Sequence, residues 1–382
     1  MQTIKAKYNS ANIMLPEDSI IEEETLKQIY SFLNHPSFAN TYIAIMPDCH
    51  AGNGACIGFT MKLNDYIIPN IVGVDIGCGV LSYNLGNINI NLKSLDEFIK
   101  NEIPFGFNVN SKSKLNIEIY KDTINNISKK INSDGNRNIL SLGSLGGGNH
   151  FIEVGEDEEN NKWLTIHTGS RKFGLDIANF YQKKAKEFMI KIFQGASAFK
   201  NLEYLLIDSD DGKNYIKDMK LATFFAKLNR YYIAEEIIIN FLYLDINELE
   251  KVESIHNYID FSDNIIRKGA IRSYENEKLI IPFNMEDGLI IGSGKSRSKW
   301  NYSAPHGAGR LLSRTKAKAN LKLDKYVESM KDKNIYTSSL NKNTLDECKD
   351  AYKDKNLIID AIEETVVIEK FVKPIYNFKA SE

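Results

Sequence analysis

Short apolar runs separated by glycine-rich segments are the main pattern of the first 110 residues. Residues 42–46 and 66–68 are apolar runs of strand length, and glycine clusters follow them. Runs of this kind, bounded by turn-forming residues, are typical of strands that end in loops. Loops on a rigid framework often carry binding or catalytic side chains. This part of the chain is therefore predicted to form strands with functional loops at their ends.

Helical spacing replaces this pattern in the middle of the chain. From about residue 175 to residue 242, apolar residues recur every three or four positions, while glycine and proline are rare. The recurring positions include Phe180, Ala185, Phe188, Met189 and Phe193. The sequence predicts a mainly helical block over 175–250, preceded by another helix over 117–131.

Strand-like runs return at 163–166, 279–281 and 289–291, and residues 311–323 have the pattern of a helix that starts near Gly307. No internal repeat or low-complexity linker divides the chain. We expect an α+β fold in a single compact catalytic domain over residues 1–382. Strands and glycine-rich loops would surround a cleft, and the helical block would pack against them.

Composition supports a globular protein of the cytoplasm. The chain has 382 residues, of which 43% are hydrophobic, so it can bury a large core. Its first residues lack the apolar core of a signal peptide, and no apolar run approaches the roughly 20 residues that span a bilayer. The sequence contains 4 cysteines, too few for a disulfide framework in a chain of this length. We expect a cytoplasmic protein with no membrane partner.

Charge is balanced overall but concentrated locally. The net charge is −2, which argues against a protein that coats nucleic acid through bulk charge. Residues 292–323, however, contain 8 basic residues and no acidic ones, with Trp300 and Tyr302 among them. Such a run is either a solvated basic face or a phosphate-binding surface. Because it surrounds His306, we favour phosphate binding.

Candidate metal ligands occur in four short segments. Asp75 and Cys78 lie in the glycine-dense segment 73–79, where the backbone can direct both side chains to one point. His150, His167 and His256 each lie at the mouth of a strand or loop. A buried cysteine in a turn and a core histidine are the structural alternatives. Together the side chains offer oxygen, sulfur and nitrogen donors for two divalent ions, a set that suits zinc, iron, cobalt or manganese.

His306 is the best-placed nucleophile. It is followed by the flexible segment Gly307, Ala308 and Gly309, where the predicted helix would begin. A helix start presents free N–H groups and a positive dipole end to a phosphate, and the same dipole disfavours a protonated imidazole. A neutral histidine beside an open metal site favours phosphoryl or nucleotidyl transfer.

Six motifs in this order resemble those of the RtcB family of RNA-splicing ligases. They are residues 47–54 (PDCHAGNG), 73–79 (GVDIGCG), 148–153 (GNHFIE), 167–171 (HTGSR), 256–258 (HNY) and 306–310 (HGAGR). The resemblance covers most of the chain. It implies a ligase that joins RNA 3′-phosphate or 2′,3′-cyclic phosphate ends to 5′-hydroxyl ends, with GTP and two Mn²⁺ ions, through a histidine–GMP intermediate.

The resemblance also implies roles for individual residues. Cys78 would bridge two manganese ions, one held by His150 and His167 and the other by Asp75 and His256, and His306 would be guanylylated. Residues that match nucleotide-binding positions are Asn149, Glu153, Asn257, Gly307, Ala308, Gly309 and Lys379. Candidates for contact with RNA or phosphate are Asp48, His50, Arg171 and Arg310.

Residues 282–285 (PFNM) and 374–380 (PIYNFKA) are similar to a shorter branch of that family, which is associated with a release-factor-like protein and RNA repair. This branch implies broken ribosomal RNA or transfer RNA as substrate and is compatible with an activating partner protein. Two alternatives remain. One is a two-metal phosphatase or cyclic phosphodiesterase acting on RNA ends, and the other is an RNA-binding protein without catalytic activity.

Overall fold

The computed structural model describes residues 1–193 and 199–380, and β-sheets form its framework. The strands are β1 (Gln2–Lys5), β2 (Ser10–Ile13), β3 (Ile43–His50), β4 (Ile57–Lys62), β5 (Tyr66–Ile67), β6 (Gly79–Gly86), β7 (Phe151–Glu156), β8 (Lys162–Thr168), β9 (Leu205–Leu206), β10 (Lys251–Ile255), β11 (Asn257–Asp260), β12 (Ile265–Lys268), β13 (Ala270–Arg272), β14 (Lys278–Asn284), β15 (Gly288–Gly294), β16 (Ser303–Pro305) and β17 (Val366–Lys379).

Helices lie between and around the strands. They are α1 (Glu23–Leu33), α2 (Pro69–Val72), α3 (Leu92–Glu102), α4 (Glu118–Lys130), α5 (Gly135–Leu140), α6 (Arg171–Ile192), α7 (Asp210–Asn240), α8 (Arg314–Asn320), α9 (Leu323–Asp332) and α10 (Lys355–Ile362). This mixture of sheets and helices confirms the predicted α+β class. The helix expected over 117–131 is α4, and the strand expected over 163–166 lies within β8.

Two large sheets meet at the centre of the fold. One has six strands in the order β1-β2-β3-β4-β12-β11, and the other has seven in the order β10-β6-β8-β7-β17-β15-β14. β13 pairs with β16, and β5 pairs with β9. β10 belongs to the seven-stranded sheet and β11 to the six-stranded one, and only His256 separates them. The chain therefore passes from one sheet to the other at a predicted metal ligand.

The predicted helical block is present as α6 and α7, which pack against each other. Phe173, Ile177 and Tyr181 on α6 share one buried cluster with Tyr215 and Phe225 on α7. Burial of such a face stabilises a helix more than its intrinsic propensity does. α7 also runs beneath β6 and β8, and this contact brings two of its polar side chains to the centre of the molecule.

The helix expected to start near Gly307 is the main error of the sequence analysis. Residues after β16 form an irregular loop, and α8 begins only at Arg314, with Ser313 accepting a hydrogen bond from the Lys316 N–H. Gly309 has φ +74°, a left-handed conformation that interrupts a right-handed helix. His306 therefore does not lie at a helix N-terminus, and the helix dipole cannot explain its protonation state.

In the described residues, no helix is both long enough and apolar enough to cross a bilayer. The expected cytoplasmic location stays a prediction.

Candidate active site

The ends of four neighbouring strands bring the predicted metal ligands together. Cys78 immediately precedes β6, His150 immediately precedes β7, His167 lies near the end of β8, and His256 immediately follows β10. In the sheet order β10-β6-β8-β7, each of these strands is antiparallel to its neighbour. The beginnings of β6 and β7 and the ends of β8 and β10 therefore lie at the same edge of the sheet. Asp75 reaches this edge from the turn before β6.

The donor atoms form two groups that share one sulfur atom. Cys78, His167 and His256 make one group, and Asp75, Cys78 and His150 make the other, with the ligand atoms of each group within 4.8 Å of one another. Cys78 Sγ lies 3.3 Å from His167 Nε2 and 3.6 Å from His150 Nε2. A thiolate in this position can bridge two divalent ions.

The division of the ligands between two ions stays a prediction. The family resemblance paired His150 with His167 and Asp75 with His256. In the structure His150 Nε2 lies 2.9 Å from Asp75 Oδ2, whereas His167 Nε2 lies 3.4 Å from His256 Nε2. Cys78 Sγ also lies within 3.6 Å of the Nε2 atoms of both His150 and His167. These contacts are therefore compatible with either division. Cys78 retains its bridging position in both divisions.

Hydrogen bonds fix the orientation of two imidazole rings. His150 Nδ1 lies 3.0 Å from the Leu145 carbonyl oxygen, and His167 Nδ1 lies 3.1 Å from that of Asn149. An N–H donated to a carbonyl leaves the Nε2 lone pair for a metal. Burial lowers the pKa of His167 and of His256 well below the ordinary value, which favours the neutral, ligating form of both rings.

The hydrogen-bonding capacity of these side chains indicates whether a cation fits between them. A neutral His150 has a single N–H, which cannot serve both the Leu145 carbonyl and the Asp75 carboxylate. Burial alone would raise the pKa of Asp75, but the contact with His150 outweighs it and holds the pKa at about 2. A cation between the carboxylate and Nε2 satisfies both groups. Likewise, a cation beside the facing Nε2 atoms of His167 and His256, which lie 3.4 Å apart, could accept a lone pair from each ring.

Two buried side chains on α7 hold the loops of this site, and the sequence analysis missed both. Asn229 Oδ1 accepts hydrogen bonds from the N–H groups of Gly143 and Ser144, at 2.7 and 3.1 Å. Arg230 Nη1 donates to the carbonyls of Gly77 and Thr168, at 2.8 and 2.9 Å. Those carbonyls lie directly beside Cys78 and His167 in sequence. The side chains therefore fix the backbone on which the metal ligands are mounted.

His306 is held by Asp48. The His306 ring donates from Nδ1 to Asp48 Oδ2 at 2.7 Å, and its backbone N–H reaches the same oxygen at 3.2 Å. Asp48 is fully buried, and contact of Asp48 with RNA stays a prediction. The carboxylate fixes the ring with Nε2 as its lone-pair nitrogen. The ring centroid lies 4.8 Å from that of His256, beside the metal donors.

His50 lines a cavity and an open groove together with His306. Its Nδ1 atom lies 2.9 Å from the Asp48 carbonyl oxygen. Burial lowers the pKa of His50 to about 4, so the ring is neutral at physiological pH. Contact between His50 and RNA remains a prediction.

A cavity of about 100 Å³ opens beside His306, and the candidate metal ligands His167 and His256 also line it. Its lining includes the predicted nucleotide-binding residues Asn149, Glu153, Gly307, Ala308, Gly309 and Lys379. Asn257 is separate from this cavity: it lines a neighbouring open groove, where its side chain donates to the Asp75 carbonyl and accepts from the Gly269 N–H. This places Asn257 as a support of the metal loop.

Buried polar atoms in the cavity lack partners inside the protein. Within the described residues, Glu153 Oε1 and Asn377 Oδ1 make no hydrogen bond. Burial raises the pKa of Glu153 to about 8. On the neighbouring strand β17, Lys379 is buried and forms an ion pair with Glu347. Unsatisfied buried polar groups are uncommon and often mark a ligand site, so this cavity fits a polar, hydrogen-bonding ring.

The match to known proteins agrees with this geometry. The model of the tRNA-splicing ligase RtcB family matches residues 28–380. The chain belongs to the RtcB family. It is 28% identical to the RNA-splicing ligase RtcB of Escherichia coli, over 91% of this chain and 92% of that protein. It is also 28% identical to the tRNA-splicing ligase RtcB of Methanococcus maripaludis, over 92% of this chain and 90% of the relative.

Both predicted phosphate-binding arginines of this RtcB chain already contact protein. Arg310 Nη2 pairs with Glu347 Oε1 at 2.6 Å, and Arg310 Nη1 donates to the Asp346 carbonyl. Arg171 donates to Ser144 Oγ and to the Gly106 carbonyl, at 3.2 and 2.9 Å. Arg310 lines the cavity beside His306, and Arg171 lines a different groove. Phosphate binding by either residue remains a prediction.

Proposed function

We propose that this RtcB protein joins RNA 3′-phosphate or 2′,3′-cyclic phosphate ends to 5′-hydroxyl ends in the cytoplasm, with GTP and manganese, as a step of RNA repair. The observation that carries the proposal is the Asp48–His306 pair, which lies between the two donor groups and the polar cavity. A hydrolase would need the metal donors but would have no use for an oriented histidine at the mouth of a polar cavity.

His306 supplies the nucleophile. Because Asp48 accepts the Nδ1–H, the lone pair on Nε2 is available and its direction is fixed. Nε2 bonds to the α-phosphorus of GTP, and the bond to the β-phosphate oxygen breaks and releases pyrophosphate. Positive charge on the resulting imidazole is stabilised by the Asp48 carboxylate, which is the usual role of a buried acid behind a catalytic histidine.

The cavity beyond His306 binds the guanosine. Glu153 and Lys379 line it from the neighbouring strands β7 and β17, and a guanine ring offers N–H donors to a carboxyl group and a carbonyl acceptor to an ammonium group. The backbone of Gly307 to Gly309 lies at the entrance, where the ribose and phosphate would pass. The unpartnered oxygens of Glu153 and Asn377 would then gain hydrogen bonds.

Asp75, Cys78, His150, His167 and His256 would hold the two metal ions. When bound, manganese would polarise phosphoryl oxygens and neutralise negative charge at the reacting phosphates. The mixed sulfur, nitrogen and oxygen donors suit a transition metal, and manganese is the family expectation. Arg230 and Asn229 keep these ligands in place through the backbone.

The remaining steps use RNA. An oxygen of the RNA 3′-phosphate attacks the phosphorus of the histidine-bound GMP, and the phosphorus–nitrogen bond breaks. The 5′-hydroxyl oxygen of the second strand then bonds to the 3′-phosphorus, GMP leaves with the electron pair of the broken bond, and the hydroxyl proton passes to water. A cyclic phosphate is hydrolysed to the 3′-phosphate first.

The test is incubation of the purified protein with manganese and GTP labelled at the α-phosphate, followed by denaturation and mapping of the label. We expect an acid-labile label on His306 and none on His306→Asn. Asp48→Asn removes the charge behind the ring with little change in volume. It should slow labelling about 100-fold or more while metal content is unchanged.

A two-metal phosphatase or cyclic phosphodiesterase is the alternative. It would release phosphate or open cyclic ends with the same metal donors, and His306→Asn would keep that activity. Absence of label on a folded protein with bound metal would reject the ligase proposal.

A further inference from the structure

One step of the proposed reaction requires a proton acceptor. His306 attacks GTP through a lone pair, and the RNA 3′-phosphate attacks as an anion, so neither of these nucleophiles has a proton to lose. The 5′-hydroxyl is different, because its oxygen is neutral and must lose a proton as it bonds to phosphorus. A positioned side chain that accepts this proton typically accelerates such a step by about 10²- to 10⁴-fold.

The acceptor must lie close to the reacting phosphates. In the proposed reaction, GMP is first bonded to His306, and the RNA 3′-phosphorus is then joined to the same GMP phosphate through one oxygen atom. His306 borders both the cavity and the open groove, and the side chains around it that do the same surround this position. Five residues line both spaces: His50, Asn149, His256, His306 and Arg310.

Four of these five side chains are unsuited to accept the proton. His256 is a candidate metal ligand, and an asparagine amide such as that of Asn149 has no basic atom. Arg310 is a cation that pairs with Glu347. Nε2 of His306 would lie against the GMP phosphate that it has just released. The remaining side chain is that of His50.

His50 has the hydrogen-bonding pattern of a proton acceptor. It is the last residue of β3, and its Nδ1 atom lies 2.9 Å from the Asp48 carbonyl oxygen. Because a carbonyl oxygen can only accept a hydrogen bond, Nδ1 carries the ring proton and Nε2 carries the lone pair. Within the described residues, Nε2 forms no hydrogen bond. The lone pair is therefore available to a substrate.

Asp48 directs the rings of His50 and His306 through different oxygen atoms. His306 donates to the Asp48 carboxylate, whose charge stabilises a positively charged ring. His50 donates to the neutral carbonyl, which fixes the ring without neutralising a lasting positive charge. The two rings are therefore suited to different tasks, covalent bonding to phosphorus for His306 and transient uptake of a proton for His50.

The surroundings of His50 keep it neutral until a substrate binds. Burial lowers its pKa to about 4, and the positive charges of Lys353 and of a protonated His306 act in the same direction, whereas Asp48 opposes them. The negative charges of bound phosphates favour the protonated ring. His50 therefore becomes a stronger base when the substrate is in place.

We propose that His50 Nε2 accepts the proton of the 5′-hydroxyl while that oxygen bonds to the RNA 3′-phosphorus. The bond from this phosphorus to the GMP oxygen breaks, GMP leaves with the electron pair, and His50 then passes the proton to water. The inference rests on the proposed ligase function and adds a catalytic residue to it.

The test follows each step separately, with labelled GTP, an RNA that ends in a 3′-phosphate and an RNA that begins with a 5′-hydroxyl. His50→Asn keeps a side-chain N–H for the Asp48 carbonyl and removes the Nε2 lone pair. GMP transfer to His306, and from His306 to the RNA 3′-phosphate, should proceed at wild-type rates. Sealing should be about 100-fold slower or more, so RNA with GMP on its 3′-phosphate should accumulate.

Chemical rescue distinguishes proton transfer from a positioning role. His50→Ala removes the ring and leaves space for a small base beside the reacting oxygen. Added imidazole should accelerate sealing by His50→Ala, but it should not change GMP transfer by that variant or sealing by the wild-type protein.

His35 provides a matched control. Burial lowers its pKa to about 4, as in His50, but His35 lines neither the cavity nor the open groove. Its Nδ1 atom accepts a hydrogen bond from the Ser37 N–H at 3.1 Å, and an asparagine oxygen can accept the same bond. His35→Asn should leave all three steps unchanged.

Sealing at the wild-type rate by His50→Asn would overturn the proposal. Equal slowing of GMP transfer and sealing would also overturn it, because that pattern indicates a displaced His306 and not a missing base. Sealing by His50→Ala that imidazole does not accelerate would count against proton transfer. Failure of GMP transfer in the wild-type protein would instead reject the ligase function, and it is scored before any variant is compared.

Discussion

Glu153 is a carboxyl group buried at the wall of the nucleotide cavity without a cation beside it. Burial raises its pKa to about 8, and the hydrogen bond from Asn377 offsets only part of this effect. The empty cavity therefore favours a protonated Glu153 at neutral pH. A ligand with N–H donors would favour the carboxylate instead, so binding of such a ligand should release a proton.

The raised pKa predicts how stability depends on pH. Between the ordinary pKa near 4.5 and the folded value near 8, the folded protein keeps a proton that the unfolded chain has lost. Stability is therefore greatest below this range and falls as pH rises, by about 1.4 kcal/mol per pH unit. From pH 5.5 to pH 7.5, the wild-type free energy of unfolding should fall by about 2 to 3 kcal/mol relative to Glu153→Gln.

Urea unfolding of both proteins at each pH, without metal or nucleotide, measures this difference. Because other titrating groups are common to the two proteins, their contributions cancel. Equal pH dependence of wild type and variant would mean that Glu153 is ionised in the folded protein.

Residues whose side-chain type itself indicates a chemical role could be identified from the sequence. His306 and the candidate metal ligands are reactive side chains, and the structure brings them together. Asn229 and Arg230 could not be found in this way, because they look like ordinary polar residues in a helical run. Their role depends on where α7 passes beneath the sheet, which no local pattern records.

At the scale of elements, the loop after β16 shows why a helical pattern was misleading. Residues 311–323 contain good helix formers, but the segment from His306 to Gly309 is held by contacts with β3. The His306 N–H bonds to Asp48, and Gly309 lies against the Asp48 backbone. A Cβ atom on Gly309 would lie 2.2 Å from the Asp48 carbonyl oxygen. Tertiary contact here overrides local propensity.

Gly309→Ala is therefore expected to displace the loop that carries His306. Gly86 provides a matched control, since it has nearly the same φ, +73° against +74° for Gly309, but a Cβ atom on Gly86 would meet no atom within 4 Å. Gly86→Ala should cost about 1 to 2 kcal/mol from backbone strain alone and leave GMP transfer to His306 unchanged. Gly309→Ala should cost more and abolish that transfer.

Thermal unfolding and the GMP-labelling assay measure both effects. If the two variants behaved alike, the approach of Gly309 to Asp48 would have no role in holding the nucleophile.

At the scale of the whole molecule, the site depends on strand order. Antiparallel pairing in the order β10-β6-β8-β7 places residues far apart in sequence at one sheet edge. The sequence predicted strands and their ends, but strand order depends on non-local packing. For the same reason the ligands could be named from the sequence, while their division between two ions stays a prediction.

Bound metal ions would join strands and loops from residues 75 to 256 and would therefore stabilise the whole fold. A ligand that binds only the folded protein stabilises it by about 4 kcal/mol at a thousand times its dissociation constant. We expect manganese to raise the melting temperature, and a chelator to reverse the effect. Metal analysis should give two ions per chain.

The shared sulfur atom makes a sharper prediction. Cys78 belongs to both donor groups, whereas His256 belongs to one. Cys78→Ala should therefore lose both ions and the whole manganese-dependent rise in melting temperature, while His256→Ala should lose one ion and part of the rise. Cys348 is also a buried free cysteine, and it belongs to neither donor group, so Cys348→Ala should keep both ions. Two ions bound to Cys78→Ala would show that the thiolate does not bridge them.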